Sequence, residues 1–527
     1  MQYDVLVLGG DVDALVAATA LARQGSKVKV LAEGPILGGR LAPRSFHPGF
    51  SAPAAHLGGG LSEKTVEALD LRRFGYAAPE DAGVTTFREG EGKPFHLPAG
   101  REAAVAAAQR LSQADGEGLA RLYDLLETLS DFLRPLLGMT PLPFARPGWR
   151  EALEPAWHAF RLRRLGADTL HELLRIAPQP LHEFAEDWVQ SEVLQATLTA
   201  PGLHSGWGGP RSPGGVAPLL LWEASNPGPR LSRGGLLGAN LLEALEGAAK
   251  RAGVLVRTDA PVESLVCEGR EVLGVRLRGG EEFTAPCVLS ALGPRRTLLD
   301  LIPARALDPT LRRRISPYRA KGSVAKVHLA LSELPPLPEG SSAQTRFQVG
   351  GSLVALERAF DPAKYGECSE APYLELVFPS ATDPKLAPAG KHVASVLVHH
   401  APYSLSEGWT EAAREGLLER VLSALEARLP GLKACVIASA LRTPEDLEQE
   451  WGLEGGHLLG GEISLDQLFT NRPCPEASAY RTTLPGLYLC GPGTHPGAFA
   501  TGLSGINAAG QLRRDLRGGR ARARSKG

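Results

Sequence analysis

Six cysteines in 527 residues, Cys267, Cys287, Cys368, Cys435, Cys474 and Cys490, form no C-x-x-C pair. A zinc ribbon or thiol redox centre is therefore not expected, no metal ligands are assigned, and reduced buried thiols in a cytoplasmic protein are the reading that follows. Neither sign of charge is in excess: 57 Lys and Arg face 58 Asp and Glu, a net of -1 that excludes bulk attraction to nucleic acid. No apolar run approaches a membrane span; the longest obvious ones, such as 216–222, suit a strand or a short helix. The first strand begins within a few residues of Met1, so no signal or transit peptide is expected. With 43% apolar and 22% charged residues, the chain is long enough for two or three domains around a large core.

The amino terminus lacks the second glycine of a dinucleotide fingerprint. Residues 5–8 form an apolar strand, Gly9-Gly10 follows at once, and residues 14–23 read as an Ala- and Leu-rich helix. Gly25-Ser26 closes that helix, residues 28–31 are a second buried strand, and Gly38-Gly39-Arg40 make another glycine turn. In G-x-G-x-x-G the first glycine bends the chain, the second admits the pyrophosphate and the third lets helix and strand pack. Here the second is Asp11 and the third is Ala14, a tolerated variant. A carboxylate at Asp11 adds like-charge repulsion at a helix N-terminus whose backbone N–H groups should meet the phosphates. The acidic residue that would hold the ribose is also missing: its place is taken by Ala32. Glu33 stands one residue late, with its side chain expected on the opposite face of the strand.

Beyond this βαβ unit, residues 41–60 read as a loop returning Gly49-Phe50 toward the first turn, and 61–73 as a surface helix. Strands follow to about 97, then one long amphipathic helix over 104–137 and a Pro-broken stretch over 135–149. Helices over 152–198, with breaks at Leu165-Gly166 and Ala177-Pro178, are expected to cap a substrate cavity; a plain helical subdomain is the alternative. The Gly- and Pro-rich 201–215 reads as a loop, 239–252 as a helix, and the four apolar runs between 254 and 290 as a β-meander. Strands at 324–331 and 392–399 and a helix at 410–429 belong to the second domain. At the end, strand 487–490, the turn from Gly491 to Gly497 and a helix opening at Gly505 repeat the physics of the first turn. The basic tail reads as solvated, with transient contact with acidic lipid as the weaker account.

With these glycine segments in view, the chain resembles the phytoene desaturase-like flavoproteins, in the branch named pyridine nucleotide-disulfide oxidoreductase domain-containing. The resemblance rests on Gly38-Gly39-Arg40, residues 209–214, Arg233-Gly234-Gly235, residues 294–300, residues 462–469 and residues 487–507. It implies an α/β fold. A Rossmann-like FAD-binding domain would be built from 1–75, 228–300 and 470–517, with an inserted α+β substrate domain and helical cap from 76–227 and 301–469, and a tail from 518. It also implies FAD held by Gly9, Gly10, Ala14, Gly38, Gly39 and Arg40, by Gly234, Gly235 and Val262, and by Gly491, Gly493, Thr494, Gly502 and Asn507.

The chemistry implied is hydride removal from an apolar, isoprenoid-like or lipid substrate. The flavin takes the hydride while the protein orients and excludes water, so no catalytic acid–base pair is assigned. His495 reads as a structural residue of its turn rather than a proton carrier. A lipid-like substrate implies visits to a membrane surface, with 133–149 as the docking segment or, equally, a core segment. A second reading stays open: a flavin-free relative that keeps the scaffold as a binding or assembly protein, favoured by Asp11 and Ala32. A nicotinamide-only dehydrogenase is disfavoured, since nothing near residues 32–34 supplies a ribose acid or a 2′-phosphate arginine.

Overall fold

The computed structural model describes residues 2–55, 61–78, 81–90, 92–141, 166–204, 206–225, 240–499 and 501–518. A five-stranded parallel sheet runs in the order Leu487–Leu489, Cys287–Ser290, Val5–Leu8, Val28–Leu31 and Leu255–Arg257. Its inner strands are mostly apolar because both of their faces are covered, while the edge strand Leu255–Arg257 is largely exposed. Val5, Val7, Val28, Val30 and Leu289 pack against helices Val12–Ala22, Leu241–Ala252 and Leu503–Arg517. On the other face, Leu6, Leu8, Leu31 and Val288 meet a three-stranded antiparallel sheet. The expected meander is thereby corrected: the first and last of its four runs join the parallel sheet, and Glu271–Leu277 lies between Val262–Glu268 and Glu282–Thr284 in the three-stranded sheet, pairing with both.

A second sheet of seven strands runs in the order Val436–Arg442, Val324–Leu331, His392–His399, Leu374–Val377, Arg346–Val349, Val84–Phe87 and Phe95–Leu97. Its alternation separates two faces. Val327, Leu329, Phe347, Leu376 and Val396 form a core with helix Glu411–Glu426. Lys326, His328, Glu375 and His399 leave the opposite face, and all are buried.

Several local expectations change. The long helix over 104–137 is two helices, Arg101–Gln109 and Gln113–Leu137, because Ser112 turns to extended backbone and caps the second by accepting from the Asp115 N–H. Residues 41–55 contain a hairpin, Arg44–His47 with Phe50–Ala52, whose Phe50 packs on Ala330 and Val393 of the seven-stranded sheet rather than returning to the first turn. Helix Glu192–Leu203 extends into the stretch read as loop. The break expected at Ala177-Pro178 is present, and a helix starts at Ala167 after Gly166; the residues before Gly166 in that expected break lie outside the described residues. Residues 142–165, which carry the second part of the docking stretch from 142 to 149, and the tail from 519 lie outside the described residues. Leu133 and Leu137 are core residues. Among the described residues no helix is long and apolar enough to cross a membrane.

Candidate functional site

The C-terminal ends of the parallel strands open into a cleft of about 1270 Å³. Such an edge is where open α/β sheets bind ligands, because helix N-termini and loops converge there. Gly9, Gly10, Gly39, Arg40 and Gly493 line it, together with Ala32 and Glu33. Two glycines are sterically required. A Cβ on Gly10 would lie 2.8 Å from the Cβ of Ala32, and one on Gly39 (φ +56°) 2.7 Å from the Cβ of Asp11. The Gly38 N–H donates to the Gly10 carbonyl at 2.6 Å, which ties the second glycine turn onto the first.

Asp11 caps the first helix, its carboxylate accepting the Ala14 N–H at 2.8 Å. Burial drives its pKa up to about 7, with the Asp13 charge adding to the effect and the Ala14 N–H and Arg40 opposing it. Asp13 is buried too, is raised by burial, and accepts the Gly505 N–H at 3.2 Å, which joins the first helix to the last. Arg40 is 6% exposed and sits within Coulombic reach of both acids. Among the described residues its guanidinium has no hydrogen-bond partner.

Glu33 overturns its expectation. The strand ends at Leu31, so strict alternation has lapsed by residue 33, and the carboxylate faces the cleft. It takes Arg296 Nη1 and Nη2 at 2.5 and 2.6 Å, and the Val262 N–H at 3.1 Å.

The other expected ligands divide. Ala14 and Gly38 stand one layer behind the cleft wall, and a Cβ on Gly491 would meet Asp11 Oδ2 at 3.5 Å. Thr494, Gly502 and Asn507 are engaged internally. The Thr494 hydroxyl donates to the Gly491 carbonyl, and Asn507 Nδ2 donates to Leu137 O at 3.0 Å and to Tyr480 Oη at 3.1 Å. A side chain at Gly502 would crowd Thr65 and Leu61. Gly234 and Gly235 lie outside the described residues. His495 is buried in its turn, with Nε2 3.0 Å from Leu136 O and a pKa that burial lowers to about 4.

Sequence reasoning missed the far end of the cleft. Tyr318 Oη donates to Gly460 O at 2.7 Å and Gly493 O at 3.2 Å. Arg472, fully buried, donates to the carbonyls of Leu459, Gly461, Glu462 and Pro492, so one guanidinium pins two backbone loops together. Also missed was the polar face of the seven-stranded sheet. Glu375 accepts from His204 Nε2 at 2.6 Å, Tyr373 Oη at 2.8 Å, His399 Nε2 at 3.0 Å and Arg346 Nη1 at 3.1 Å. Burial alone would raise it, but His204 and Arg346 hold it well below the usual carboxylate range. Lys326 on the same face is pushed well down by burial, against the pull of Glu375, which favours the neutral amine. The K-x-H alternation at Lys326 and His328 inside an apolar strand was the available signal.

A family model for flavin-containing amine oxidoreductases matches residues 149–513. The chain belongs to that family. It is 33% identical over 98% of its length, and 94% of the relative, to pyridine nucleotide-disulfide oxidoreductase domain-containing protein 2 of Rattus norvegicus. It is 26% identical over 64% of its length, and 66% of the relative, to the lycopene-forming phytoene desaturase of a Paracoccus strain. The fold is similar to that of a putrescine oxidase (TM-score 0.60, 14% identity, 98% and 99% of the chains). Cyclohexylamine oxidase of Brevibacterium oxydans is also similar (TM-score 0.58, 16% identity, 98% and 100%). The resemblance first drawn from the glycine segments is borne out, and the family's cofactor is FAD.

The cleft fits that cofactor. Its walls are closed by glycines that a Cβ would disrupt, and a buried cation without a hydrogen-bonding partner among the described residues faces it. Gly10, Gly39 and Arg40 would hold the diphosphate region. One charge opposes the fit: an ionised Asp11 occupies the helix N–H that a phosphate would use, so the neutral acid is the form compatible with the dinucleotide.

Proposed function

We propose that the chain is an FAD-dependent oxidoreductase that removes hydride from a substrate with a largely apolar skeleton. Bound FAD supplies the hydride acceptor. The protein's part is to hold the dinucleotide through Arg40 and the glycine turns, to keep water out, and to present the substrate from the seven-stranded sheet. Buried Arg40 carries this reading: Asp11 and Asp13 lie within its Coulombic reach, yet its guanidinium is hydrogen-bonded to nothing among the described residues, and the oxygens of a diphosphate in the cleft it lines would accept its N–H groups. The carotenoid-directed names among the relatives support an apolar substrate.

The test is the absorption spectrum of the purified protein and the FAD released on heating. A colourless protein that takes up no added FAD, either as wild type or as Asp11→Gly, would sink the proposal. The rival reading of a flavin-free scaffold draws on one observation, the Asp11 carboxylate already seated on the Ala14 N–H. A colourless wild type with a yellow Asp11→Gly variant would favour it.

A further inference from the structure

Two histidines from different parts of the chain meet at a second, much smaller chamber of about 30 Å³, which has room for a water-sized group and no more than two. It shares Gly322, His457 and Leu458 with the large cleft, so the two spaces adjoin. Ala55, Val324, Leu397 and Leu459 are among its apolar walls; its polar side chains among the described residues are His204, His457 and Ser323, whose hydroxyl donates to Gly206 O at 3.1 Å.

The tautomer of each ring follows from its bonds. His457 Nδ1 accepts the Leu459 N–H at 3.1 Å, so its proton resides on Nε2. That N–H is buried and has no hydrogen-bond partner among the described residues. The ring is 4% exposed, and burial, with Arg472 adding to it, lowers its pKa to about 3, which keeps it neutral. His204 is 8% exposed and lies 2.6 Å through Nε2 from the Glu375 carboxylate, which can only accept. Nε2 therefore carries a proton, and Nδ1 is buried with no hydrogen-bond partner among the described residues, so the geometry provides for a lone pair there and not for a second N–H, which would be left without an acceptor. The edge of Trp222 at 5.4 Å and the face of His399 at 5.6 Å fix the ring in place. One small chamber is thus lined by two rings, one with an unmatched donor and the other with an unmatched acceptor.

Resting on the FAD-dependent reading above, we propose that this chamber receives the hydroxyl group of an alcohol substrate, with His457 Nε2–H donating to the oxygen and His204 Nδ1 accepting the hydroxyl hydrogen. A hydroxyl is donor and acceptor at one atom, and it is the size of the space. A hydrocarbon leaves both nitrogens unsatisfied, a carbonyl satisfies only His457, and an ammonium places a donor against the His457 donor. Selectivity follows from those unmet partners, since a site built to bond a hydroxyl rejects groups that strand its buried polar atoms. The rest of the substrate would extend into the adjoining cleft, so its skeleton can remain apolar.

Calorimetric titration of the FAD-loaded protein with 1-hexanol, hexylammonium and hexane tests this. Hexanol is expected to bind at least about tenfold more tightly than either of the others. His457→Leu should remove that preference, and His457→Gln, which keeps an N–H donor, should retain it to within about threefold. Should the leucine variant fail to fold, the wild-type selectivity and the glutamine variant still decide. Equal affinity for hexanol and hexane, a preference for hexylammonium, or a hexanol-soaked crystal with water alone in the chamber would overturn the proposal. The flavin spectrum of the same sample separates the two levels. Flavin present with no alcohol preference removes this subsite alone, while no flavin uptake removes the oxidoreductase reading beneath it.

Discussion

The parallel sheet and the seven-stranded sheet keep their charges in opposite places. Both faces of the parallel sheet are apolar, and Asp11 and Glu33 stand beyond its strand ends. The larger sheet has one apolar face and one that buries Lys326, Arg346 and Glu375 completely. Layers on both sides of the first leave ligand chemistry only its edge. A charge buried inside a sheet costs several kcal/mol unless it is paired. The second sheet meets that cost through a shared carboxylate, and so its interior can be polar where a ligand would lie.

The largest effect that would break this contrast is on the polar face. Glu375→Leu strips the acceptor from His204, His399, Tyr373 and Arg346 and should cost about 3–5 kcal/mol in urea denaturation. Adding Arg346→Met should recover part of the loss; a single variant within about 1 kcal/mol of wild type would mean that the carboxylate is not the keystone. On the apolar side of the comparison, Leu289→Ala in the parallel sheet should cost about 2–4 kcal/mol by leaving a cavity, with no change in the pH profile.

Asp11 sharpens the contrast through pH. Its folded pKa, about 7, lies above the unfolded value of 3.8, so the folded state holds the extra proton between those values. Stability from this group is complete below about pH 4, is lost as pH rises toward 7 by at most about 1.4 kcal/mol per unit, and is level above. Since the neutral acid suits a phosphate, FAD affinity should weaken about tenfold per pH unit above 7. Asp11→Asn should flatten both profiles and bind FAD about tenfold more tightly at pH 8, measured by quenching of flavin fluorescence. A wild-type affinity independent of pH would sink this account of the cap. The smallest effect is expected at the rim: Arg44, 5.3 Å above the Trp451 ring, should lose no more than about 1 kcal/mol on change to Ala, read from the thermal midpoint.

Much of this was legible in one dimension. Residues 5–8 announce a buried strand because their apolar run is unbroken, residues 28–31 do so with only Lys29 interrupting, and Gly38-Gly39 announces a backbone approach that side chains would obstruct. Residues 324–331 and 392–399 were read to the residue. The helix break at Ser112 was missed because Ser is tolerated within helices, and only the accepted Asp115 N–H reveals a cap. Glu33 was assigned the wrong face because alternation was extended past the end of its strand.

The sequence by itself determined the family, the fold class and the anomaly at Asp11, since these depend on local periodicity and on residue types at fixed spacings. Tertiary structure alone decided that Glu33 turns to Arg296, that Arg472 stitches two glycine loops, and that His204 and His457 share one chamber. Those pairings join residues more than 250 positions apart in two of the three cases. They arise from how the sheets and helices stack, and no local pattern in the chain encodes which distant partner a buried polar atom will meet.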